Sequence, residues 1–331
     1  MASGSHRLGF AVKVLGDGGL PSHDTRRWQS GPHLSVSLEN LEAILRYCDR
    51  HDLRMYRMAT ALAPYVTHPD LPQFHAQIEE SAERLAEVGA FAREFDVRLS
   101  SHPGQYTVLN SESESVRDLA IEEVEAQARL FDSMGLPPES IVVVHVGGAA
   151  GGLEAGADRF AAAAEKLSDR ARERLVIEND DRTYSIADVA ALSKRTGIKV
   201  VWDALHHRCN DPNGVPEHEA LDLALATWPP GVVPKIHYSS PRVDIQERKR
   251  KVGRRVVREP VMPQLRAHAD LVDPLAFEPF LRGPLAGREV DVMIEAKGKD
   301  LAVLRLRDQL SERGWAWERG RLSSAAWPSR Q

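Results

Sequence analysis

The stretch LVIENDDRTYSIADVAALSKRTGIKVVWDALHH, residues 175–207, contains the unit from which the rest of the chain is built. It begins with a short β-branched run, Leu175–Ile177, continues with apolar residues at helical spacing over Ile186–Thr196, and ends in a second run, Lys199–Trp202. Gly197 lies where a helix C-cap is expected. This order of strand, helix and strand predicts one unit of a parallel sheet with a helix on its face.

The same alternation extends along the whole chain. Seven segments carry apolar residues at helical spacing: Ser37–His51, Gln73–Phe95, Ser115–Gly135, Ala157–Arg172, Ile186–Thr196, Glu217–Thr227 and Asp300–Arg313. Eight segments have the pattern of short strands: Leu8–Val12, Arg54–Ala59, Val97–Ser101, Ile141–Val144, Leu175–Ile177, Lys199–Trp202, Val233–Ile236 and Val290–Ile294. These elements predict an α/β fold, a TIM (β/α)8 barrel. A doubly wound open sheet uses similar units and remains the alternative.

The connections between these elements are short, and no Gly/Ser or Pro linker divides the 331 residues. We therefore expect a single barrel domain over residues 7–314, with tails at residues 1–6 and 315–331. Ser35 or Ser37 is the predicted N-cap of the first helix, and Gly135 is a predicted C-cap.

The composition excludes some classes of protein. A formal charge of -5 and a pI near 6.2 exclude a chain coated in positive charge, although a local basic surface is compatible with them. The two cysteines, Cys48 and Cys209, have no metal-type spacing and suggest no disulfide framework. Because the sequence shows no signal region and no run of about 18 apolar residues, we expect a soluble, cytoplasmic protein without a membrane partner. We also expect it to be a monomer.

Residues able to bind metals follow nearly every predicted strand. A lone histidine near an apolar strand is usually an ordinary core or surface residue. The carboxyl ends of barrel strands converge, however, so repeated ligands there predict a polynuclear metal centre. The mixture of imidazole and carboxylate favours Mn²⁺, Zn²⁺ or Fe²⁺ over Ca²⁺. The segments are His68, Ser101-His102-Pro103-Gly104, His145-Val146-Gly147-Gly148, Glu178-Asn179-Asp180-Asp181, Asp203-Ala204-Leu205-His206-His207, Lys235-Ile236-His237 and Glu295-Ala296-Lys297.

The other histidines are interpreted as residues of tails, loops or helix surfaces. They are His6, His23, His33, His51, His75 and His218.

Five of the motifs resemble those of the UV damage endonuclease family in identity, order and spacing. They are His102-Pro103-Gly104-Gln105-Tyr106, Glu178-Asn179-Asp180, Asp203-x-x-His206-His207, Lys235-x-His237 and Glu295-Ala296-Lys297. The resemblance runs from about Leu8 to Lys299 and includes the ligand ends of seven strands. It implies a bacterial, nucleoid-associated DNA repair enzyme that hydrolyses damaged double-stranded DNA on the 5′ side of a lesion. The lesions would be cyclobutane pyrimidine dimers, 6-4 photoproducts and abasic sites, and the cut would leave a 3′-hydroxyl and a 5′-phosphate.

The resemblance also implies a metal site and its catalytic residues. Up to three divalent ions are expected, chiefly Mn²⁺, with Mg²⁺, Co²⁺ and Zn²⁺ as alternatives. The catalytic residues would be Glu178, Lys235, Glu295 and His206. The implied ligands are His68, His102, His145, Glu178, Asp203, His206, His237, His268, Glu295 and Lys235.

Lys235 has two interpretations. In the family this lysine can be carboxylated, and an N6-carboxylysine is an anionic oxygen ligand able to bridge metals. The alternative is an ordinary salt-bridging lysine, and the sequence by itself does not distinguish the two.

Two further groups of residues are predicted to contact DNA. In the family, the pair that corresponds to Gln105 and Tyr106 probes the lesion, and an amide and an aromatic ring can fill a gap in a base stack. A turn with a packed tyrosine is the alternative. The basic residues Arg248, Lys249, Arg250 and Lys251 lie in a segment before His268, which is interpreted as a phosphate-binding loop at the catalytic end.

The chain departs from the family pattern after its first strand. It has Leu8-Gly9-Phe10 where the family usually has a tyrosine, and Ala11–Leu20 lacks the expected asparagine. These departures weaken any assignment of lesion contacts to that segment.

Three other functions are compatible with parts of this pattern. An abasic-site endonuclease of the endonuclease IV type shares the barrel, but it has an aspartate where this chain has Arg266, two residues before His268. A sugar isomerase would not require the basic segment or the Gln105-Tyr106 pair. A non-catalytic DNA-binding module would have no reason to keep the complete ligand set.

Overall fold

The computed structural model describes residues 4–253 and 255–324. Within them the chain forms twelve strands: β1 (Ser5–Ala11), β2 (Met55–Arg57), β3 (Arg98–Ser100), β4 (Val142–His145), β5 (Leu175–Glu178), β6 (Lys199–Val201), β7 (Lys235–Tyr238), β8 (Gln246–Val252), β9 (Arg255–Val261), β10 (Asp291–Ile294), β11 (Trp315–Glu318) and β12 (Arg321–Ser324). All eight predicted strands are present, with boundaries that differ by a few residues.

Eight parallel strands close into a barrel in the order β1-β2-β3-β4-β5-β6-β7-β10. Strand β10 pairs with both β7 and β1, which completes the ring. Two joints consist of single bridges, Ser101 with Val142 between β3 and β4, and Asp203 with His237 between β6 and β7. The ring therefore consists of two arcs, β4-β5-β6 and β7-β10-β1-β2-β3, that meet at two narrow seams. The predicted TIM barrel is confirmed, and the open sheet is excluded.

Helices follow the strands, as the periodicity predicted. They are α1 (Leu34–Arg50), α2 (Gln77–Glu80), α3 (Ala82–Glu94), α4 (Glu114–Ser133), α5 (Leu153–Glu165), α6 (Asp169–Arg174), α7 (Ile186–Thr196), α8 (Ala204–Cys209), α9 (Glu217–Leu225), α10 (Pro274–Arg282) and α11 (Lys299–Glu312), with short 3₁₀ turns at Trp28–Ser30, Thr60–Leu62 and Pro72–Phe74. The predicted helices Gln73–Phe95 and Ala157–Arg172 are each interrupted. The other five predicted helices correspond to α1, α4, α7, α9 and α11.

The helix caps agree with the predictions at the glycines but not at α1. Gly197 is the C-cap of α7 with a φ of 72°, and Gly135, with a φ of 61°, follows the C-cap of α4. Neither Ser35 nor Ser37 is the N-cap of α1, because the helix already begins at Leu34. The side chain of His33 caps it by accepting the backbone N–H of Ser35.

Both predicted tails were too long. Strand β1 begins at Ser5, and His6, which was assigned to the N-terminal tail, is buried and hydrogen-bonded through Nδ1 to the Val290 carbonyl at 2.8 Å. Residues 315–324 form the β11–β12 hairpin, in which β12 adds an antiparallel strand to the edge of β1. Two aromatic residues at period-2 spacing, Trp315 and Trp317, were the sequence signal for the first strand of this hairpin. Residues 325–331 of the predicted tail lie outside the described part.

The amino ends of the barrel strands are joined by a buried ion-pair network. Asp291 begins β10 and has no exposed surface. Its carboxylate accepts Nη1 of Arg98 at 2.8 Å and Nη1 of Arg7 at 3.2 Å, and it also accepts the backbone N–H of Arg7. The two guanidinium groups hold the pKa of Asp291 below its usual value despite burial, which acts in the opposite direction. This end of the barrel therefore serves stability.

Among the residues described, no helix combines the length and the apolar character that crossing a bilayer requires.

Candidate metal centre

Glu178, the last residue of β5, is fully buried at the carboxyl end of the barrel. Its Oε2 lies 3.0 Å from Nε2 of His102 and 3.9 Å from Nε2 of His145. Its Oε1 lies 3.1 Å from Nδ1 of His237 and 3.3 Å from Nδ1 of His206. One carboxylate therefore contacts imidazoles from four different strand ends.

Two groups of candidate ligands meet at this carboxylate. The first consists of His102, His145 and Glu178, and the second of Glu178, Asp203, His237 and Glu295. In each group one ligand atom per residue lies within 4.8 Å of the corresponding atoms of the others. Because Glu178 belongs to both groups and has two oxygens, it can bridge two neighbouring cations.

Several buried polar atoms at the site have no hydrogen-bond partner among the described residues. They are Oε1 of Glu178, Oδ2 of Asp203, Nδ1 of His145 and both ring nitrogens of His237. Buried polar atoms in proteins nearly always have such a partner. Carboxylate oxygens and imidazole nitrogens with free lone pairs suit divalent transition metals, so the donor set fits the ions expected from the sequence.

The charges of the cluster depend on one another. Burial raises the pKa of the Glu178 carboxyl group. The surrounding imidazoles have the larger effect and hold this pKa well below the ordinary range; they belong to His237, His145, His102 and His206. Burial lowers the pKa of His206, but Asp203 and Glu178 outweigh this and raise it to about 11. A bound cation would take over this charge compensation and leave the imidazoles neutral.

Asn179, the residue after Glu178, supports the ligands without being one of them. Its Nδ2 donates to the carbonyl of Asp203 at 3.1 Å, and its Oδ1 accepts the backbone N–H of Asp203 at 2.8 Å. The Asp203 side chain in turn caps α8 through the backbone N–H of His206. The motifs Glu178-Asn179 and Asp203-x-x-His206 thus form one rigid unit, a role of Asn179 that the sequence analysis did not recognise.

Lys235 differs in position from the prediction. Lys235 is the first residue of the seventh strand, β7, whereas the prediction placed it near the end of that strand. Its side chain points into the barrel on the same face as His237, one layer of side chains further from the carboxyl end. Lys235 is fully buried, and its Nζ donates to Oγ of Ser100 at 2.9 Å. Burial, with the charges of Arg57 and Arg98, lowers the pKa of Lys235 well below the ordinary value. No carboxylate of the described residues forms an ion pair with it, so an ordinary salt-bridging lysine does not fit.

Arg57, which the sequence analysis did not single out, ends β2 and forms an ion pair with Glu295. Burial raises the pKa of Glu295, but the positive charges of Arg57 and His237 outweigh burial and hold this pKa well below its usual range. Arg57 also lines a cavity of about 350 Å³ beside the cluster, together with Arg266, Lys297 and Lys299. Its place at a strand end was the available sequence signal.

His268 and His68 occupy different positions relative to the two ligand groups. Nδ1 of His268 lies 3.8 Å from Oε2 of Glu295 at the edge of the second group. His68 is exposed and belongs to neither group. It lines an adjoining cavity of about 510 Å³, and its Nδ1 accepts the backbone N–H of Asp70, so Nε2 is its free nitrogen.

Gln105 and Tyr106 lie on the ridge between two cavities. Gln105 lines the main cleft of about 580 Å³, which contains His102, His145, His206, His268 and Glu295. Tyr106 lines the adjoining cavity with His68 and is 85% exposed. The tyrosine is therefore not packed in a turn, and the two side chains are free to meet a ligand that covers the cleft.

The predicted phosphate-binding loop is a β-hairpin. Arg248, Lys249, Arg250 and Lys251 lie on β8, which pairs with β9 in antiparallel register, and all four are exposed. None of them lines the cleft. The basic residue Arg254 lies outside the described residues.

The two residues described in the divergent segment, one within β1 and one just after it, have apolar side chains. Phe10, in the stretch Leu8-Gly9-Phe10 where the family usually has a tyrosine, is fully buried and packs on Tyr56 with ring centroids 5.2 Å apart. Val12, not a polar residue, lines the cleft, and its φ of 67° is rare for a β-branched side chain. Neither residue offers the lost hydroxyl.

The chain is similar to several known proteins along most of its length. A family model described as UV-endonuclease UvdE matches residues 32–316. A UV DNA damage endonuclease of Bacillus mycoides (strain KBAB4) is 33% identical over 282 residues, covering 84% of this chain and 82% of the relative. The crystal structure of SacUVDE has a TM-score of 0.77 at 30% identity and covers 93% of this chain and 99% of its own.

A more distant neighbour has the same fold. Endonuclease IV from Thermus thermophilus has a TM-score of 0.55 at 16% identity, over 92% of this chain and 99% of its own. At that identity the likeness concerns the fold alone.

Proposed function

The chain belongs to the UV-endonuclease UvdE family, and we propose that it hydrolyses one phosphodiester bond of double-stranded DNA on the 5′ side of a UV photolesion. The observation that carries the proposal is the buried carboxylate of Glu178, which two groups of metal ligands share. Hydrolysis of a phosphodiester requires an activated water, charge compensation on the phosphate and help for the leaving oxygen, and closely spaced divalent cations supply all three.

The protein's own residues would hold and orient these ions. We assign up to three of them, Mn²⁺ in preference to Mg²⁺, Co²⁺ or Zn²⁺, to the two ligand groups together with His68, His206 and His268. Glu178, Asp203 and Glu295 supply the negative charge, and the imidazoles supply directional lone pairs. Asn179 keeps Asp203 and His206 in place, which such sites need because misoriented ligands lose affinity.

Lys235 is proposed to be carboxylated. Its neutral amine would add to carbon dioxide, forming a C–N bond and releasing one proton, and the carbamate oxygens would extend towards the ligands one layer above. Complete burial and the proximity of Arg57 and Arg98 support this, because both keep the amine of Lys235 neutral and both guanidinium groups would stabilise the anion that it forms. Incorporation of ¹³C-labelled carbon dioxide, seen by NMR in the native chain and absent in Lys235→Met, would test it.

The surroundings of the cluster fit a DNA backbone. The cations Arg57, Arg266, Lys297 and Lys299 line a cavity that borders Glu295, where phosphate oxygens next to the cut would bind. Gln105 and Tyr106 would enter the base stack at the lesion. We further propose that the protein works as a monomer in the bacterial cytoplasm, on the nucleoid.

The function is tested with duplexes that carry one defined lesion, a cyclobutane dimer, a 6-4 photoproduct or an abasic site. Purified protein with Mn²⁺ should cut immediately 5′ to each lesion and leave a 3′-hydroxyl and a 5′-phosphate. Cutting restricted to the abasic duplex would instead indicate an endonuclease IV activity. No cleavage of any duplex by metal-loaded, folded protein would refute the proposal.

A further inference from the structure

The β8–β9 hairpin stands away from the barrel but begins at the metal centre. A bridge between Pro241 and His268 holds its base, and the backbone N–H of Arg242 donates to the carbonyl of Ala267 at 2.6 Å. Every described side chain of the two strands is exposed or half-exposed. An isolated two-stranded hairpin is only marginally stable in water, so a surface of this kind is suited to gaining order from a partner.

The register of the hairpin distributes its charges evenly over two faces. Residues directly opposite each other in antiparallel strands point to the same face. On one face the described charged residues are Arg248, Arg250, Arg255 and Glu259, and on the other they are Lys249, Lys251, Arg258 and Glu247. Each face thus carries three cations and one acid.

The two faces contain more positive charge than the hairpin can neutralise. Glu247 pairs with Arg258 at 2.9 Å, and Glu259 lies 3.7 Å from Arg250. Lys249 stands directly opposite Arg258, and like charges in such a pair destabilise a ribbon. Because both faces of the hairpin carry an excess of positive charge, we expect its partner to offer anions to both faces and not to one alone.

The dimensions of a β-ribbon identify the site that offers anions on two sides. A layer of β-structure with its side chains is about 10 Å thick. The major groove of B-DNA is about 12 Å wide and bordered by a phosphate row on each wall, whereas the minor groove is about 6 Å wide. A ribbon that lay flat on one DNA strand would need cations on a single face.

We propose that the β8–β9 hairpin stands edge-on in the major groove beside the lesion, with each of its faces against one phosphate row. The strands are seven residues long, so the hairpin reaches about 24 Å from its base, or roughly 7 base pairs. Because its cations face phosphates and not base edges, the contact is independent of sequence. This inference rests on the proposed function only in taking duplex DNA as the partner.

Paired variants separate the two faces. Arg248→Ser with Arg250→Ser removes cations from one face, and Lys249→Ser with Lys251→Ser removes them from the other. The affinity for an undamaged duplex is measured against salt concentration. Each pair should lower the slope of log K against log salt by about 2, since each lost phosphate contact contributes roughly 0.9, and the effects should add in the quadruple variant.

The control is Arg129→Ser with Arg170→Ser. Arg129 lies near the C-terminal end of α4, and Arg170, in α6, is 3.7 Å from Asp132 at the same end of that helix. Barrel helices run antiparallel to the strands, so these arginines lie at the end opposite the metal centre, and the slope should stay unchanged. A slope that falls for only one of the two hairpin pairs would overturn the edge-on placement, because a flat ribbon uses one face.

A second measurement identifies the groove. Dimethyl sulfate methylates guanine N7, which lies in the major groove. The native chain should protect guanines over about 7 base pairs on one side of the lesion, and replacing residues 247–259 by two glycines should abolish that protection. Protection that persists in this variant would contradict the proposal.

The rate of incision at saturating DNA is measured in parallel. Absence of incision by the native chain would refute the proposed function, while the salt slopes would still decide the role of the hairpin.

Discussion

At the scale of single residues, the chemistry of the site is concentrated in Glu178. Its two oxygens contact imidazoles from four strand ends, and no other described residue belongs to both ligand groups. Removing its charge therefore weakens the binding of two cations at once, whereas a change at His145 or Asp203 affects one group. Glu178 is also fully buried, so water cannot replace the lost ligand easily.

Glu178→Gln should abolish incision while the barrel remains folded. We expect the rate to fall by more than 100-fold, since changes that only misorient a ligand already cost about 10- to 100-fold. Metal content by elemental analysis and the thermal transition are measured with the rate. The exposed Glu219→Gln serves as the control, and normal turnover with unchanged metal content would refute the role of Glu178.

Asp291 allows a prediction about pH and stability. Its folded pKa lies below the unfolded value of about 3.9, so its contribution is present above about pH 4 and is lost as the pH falls through the lowered folded value. Asp291→Asn leaves Arg7 and Arg98 without their shared partner, and breaking such a buried pair costs about 3–5 kcal/mol.

Urea unfolding at pH 7 and pH 3 measures this difference. The destabilisation relative to the native chain should be large at pH 7 and smaller at pH 3. Asp308→Asn is the control, because Asp308 pairs with Arg307 at an exposed site and exposed pairs contribute about 0–1 kcal/mol. Equal destabilisation by Asp291→Asn at both pH values would contradict the assignment.

At the scale of elements, the ridge of residues 103–107 places Gln105 and Tyr106 between the metal cleft and the adjoining cavity. Opening an undamaged base step costs a few kcal/mol, and a lesion has already lost part of that stacking. Side chains that insert into the base stack at this position can therefore bind damaged DNA more tightly, because opening the stack costs less there, and they need no contact with base edges. The exposure of Tyr106 suits this role, since no protein contact has to be broken first.

Replacing Gln105 and Tyr106 together by Ala should lower the incision of photolesion and abasic duplexes alike, by roughly 10-fold or more if one stacked base is lost. Metal binding should not change, because neither residue belongs to a ligand group. Trp28→Ala, which removes another exposed aromatic residue, is the matched control. Cutting of every lesion at the native rate would show that another segment senses damage.

At the scale of the whole molecule, the candidate metal ligands lie on both sides of the two seams of the barrel. Strands β3 and β4, and β6 and β7, are connected by single bridges. His102 and His145 lie on opposite sides of the first seam, and Asp203 and His237 on opposite sides of the second. Ions held by both ligand groups would therefore close the two seams where backbone pairing is weakest.

Metal loading should stabilise the barrel, and most strongly at the seams. Mn²⁺ at 100 times its Kd adds about 2.7 kcal/mol per site, which corresponds to a rise of several degrees in Tm. Hydrogen exchange of the Val143 and His237 amides, which span the seams, should slow more than that of Val292 within an arc. Equal slowing at all three amides, or no change in Tm, would contradict this coupling.

The sequence predicted most of the elements because their signals are local. Period-2 and period-3.6 patterns located all eight barrel strands, and the ligand types after them indicated the metal centre. The β8–β9 and β11–β12 hairpins were missed. In β8 a run of basic residues hides the alternation of apolar and polar side chains that marks a strand. The β11–β12 hairpin lies beyond the last barrel helix, in a part of the chain that was predicted to be a tail. The tail boundaries at residues 6 and 315 were wrong for a related reason: β12 pairs with β1, and a pairing between residues so far apart in the chain leaves no local sequence signal.

The sequence alone therefore determined a series of βα units with imidazoles and carboxylates at the strand ends, because both properties depend on residues close together in the chain. It left a closed barrel and an open sheet as alternatives. The tertiary structure decided how those ligands combine. The sharing of Glu178, the contact of Arg57 with Glu295 and the burial of Lys235 below His237 depend on strand register and ring closure. A shift of one residue in a strand turns a side chain from the interior to the outside, and local patterns do not specify which distant strand ends become neighbours.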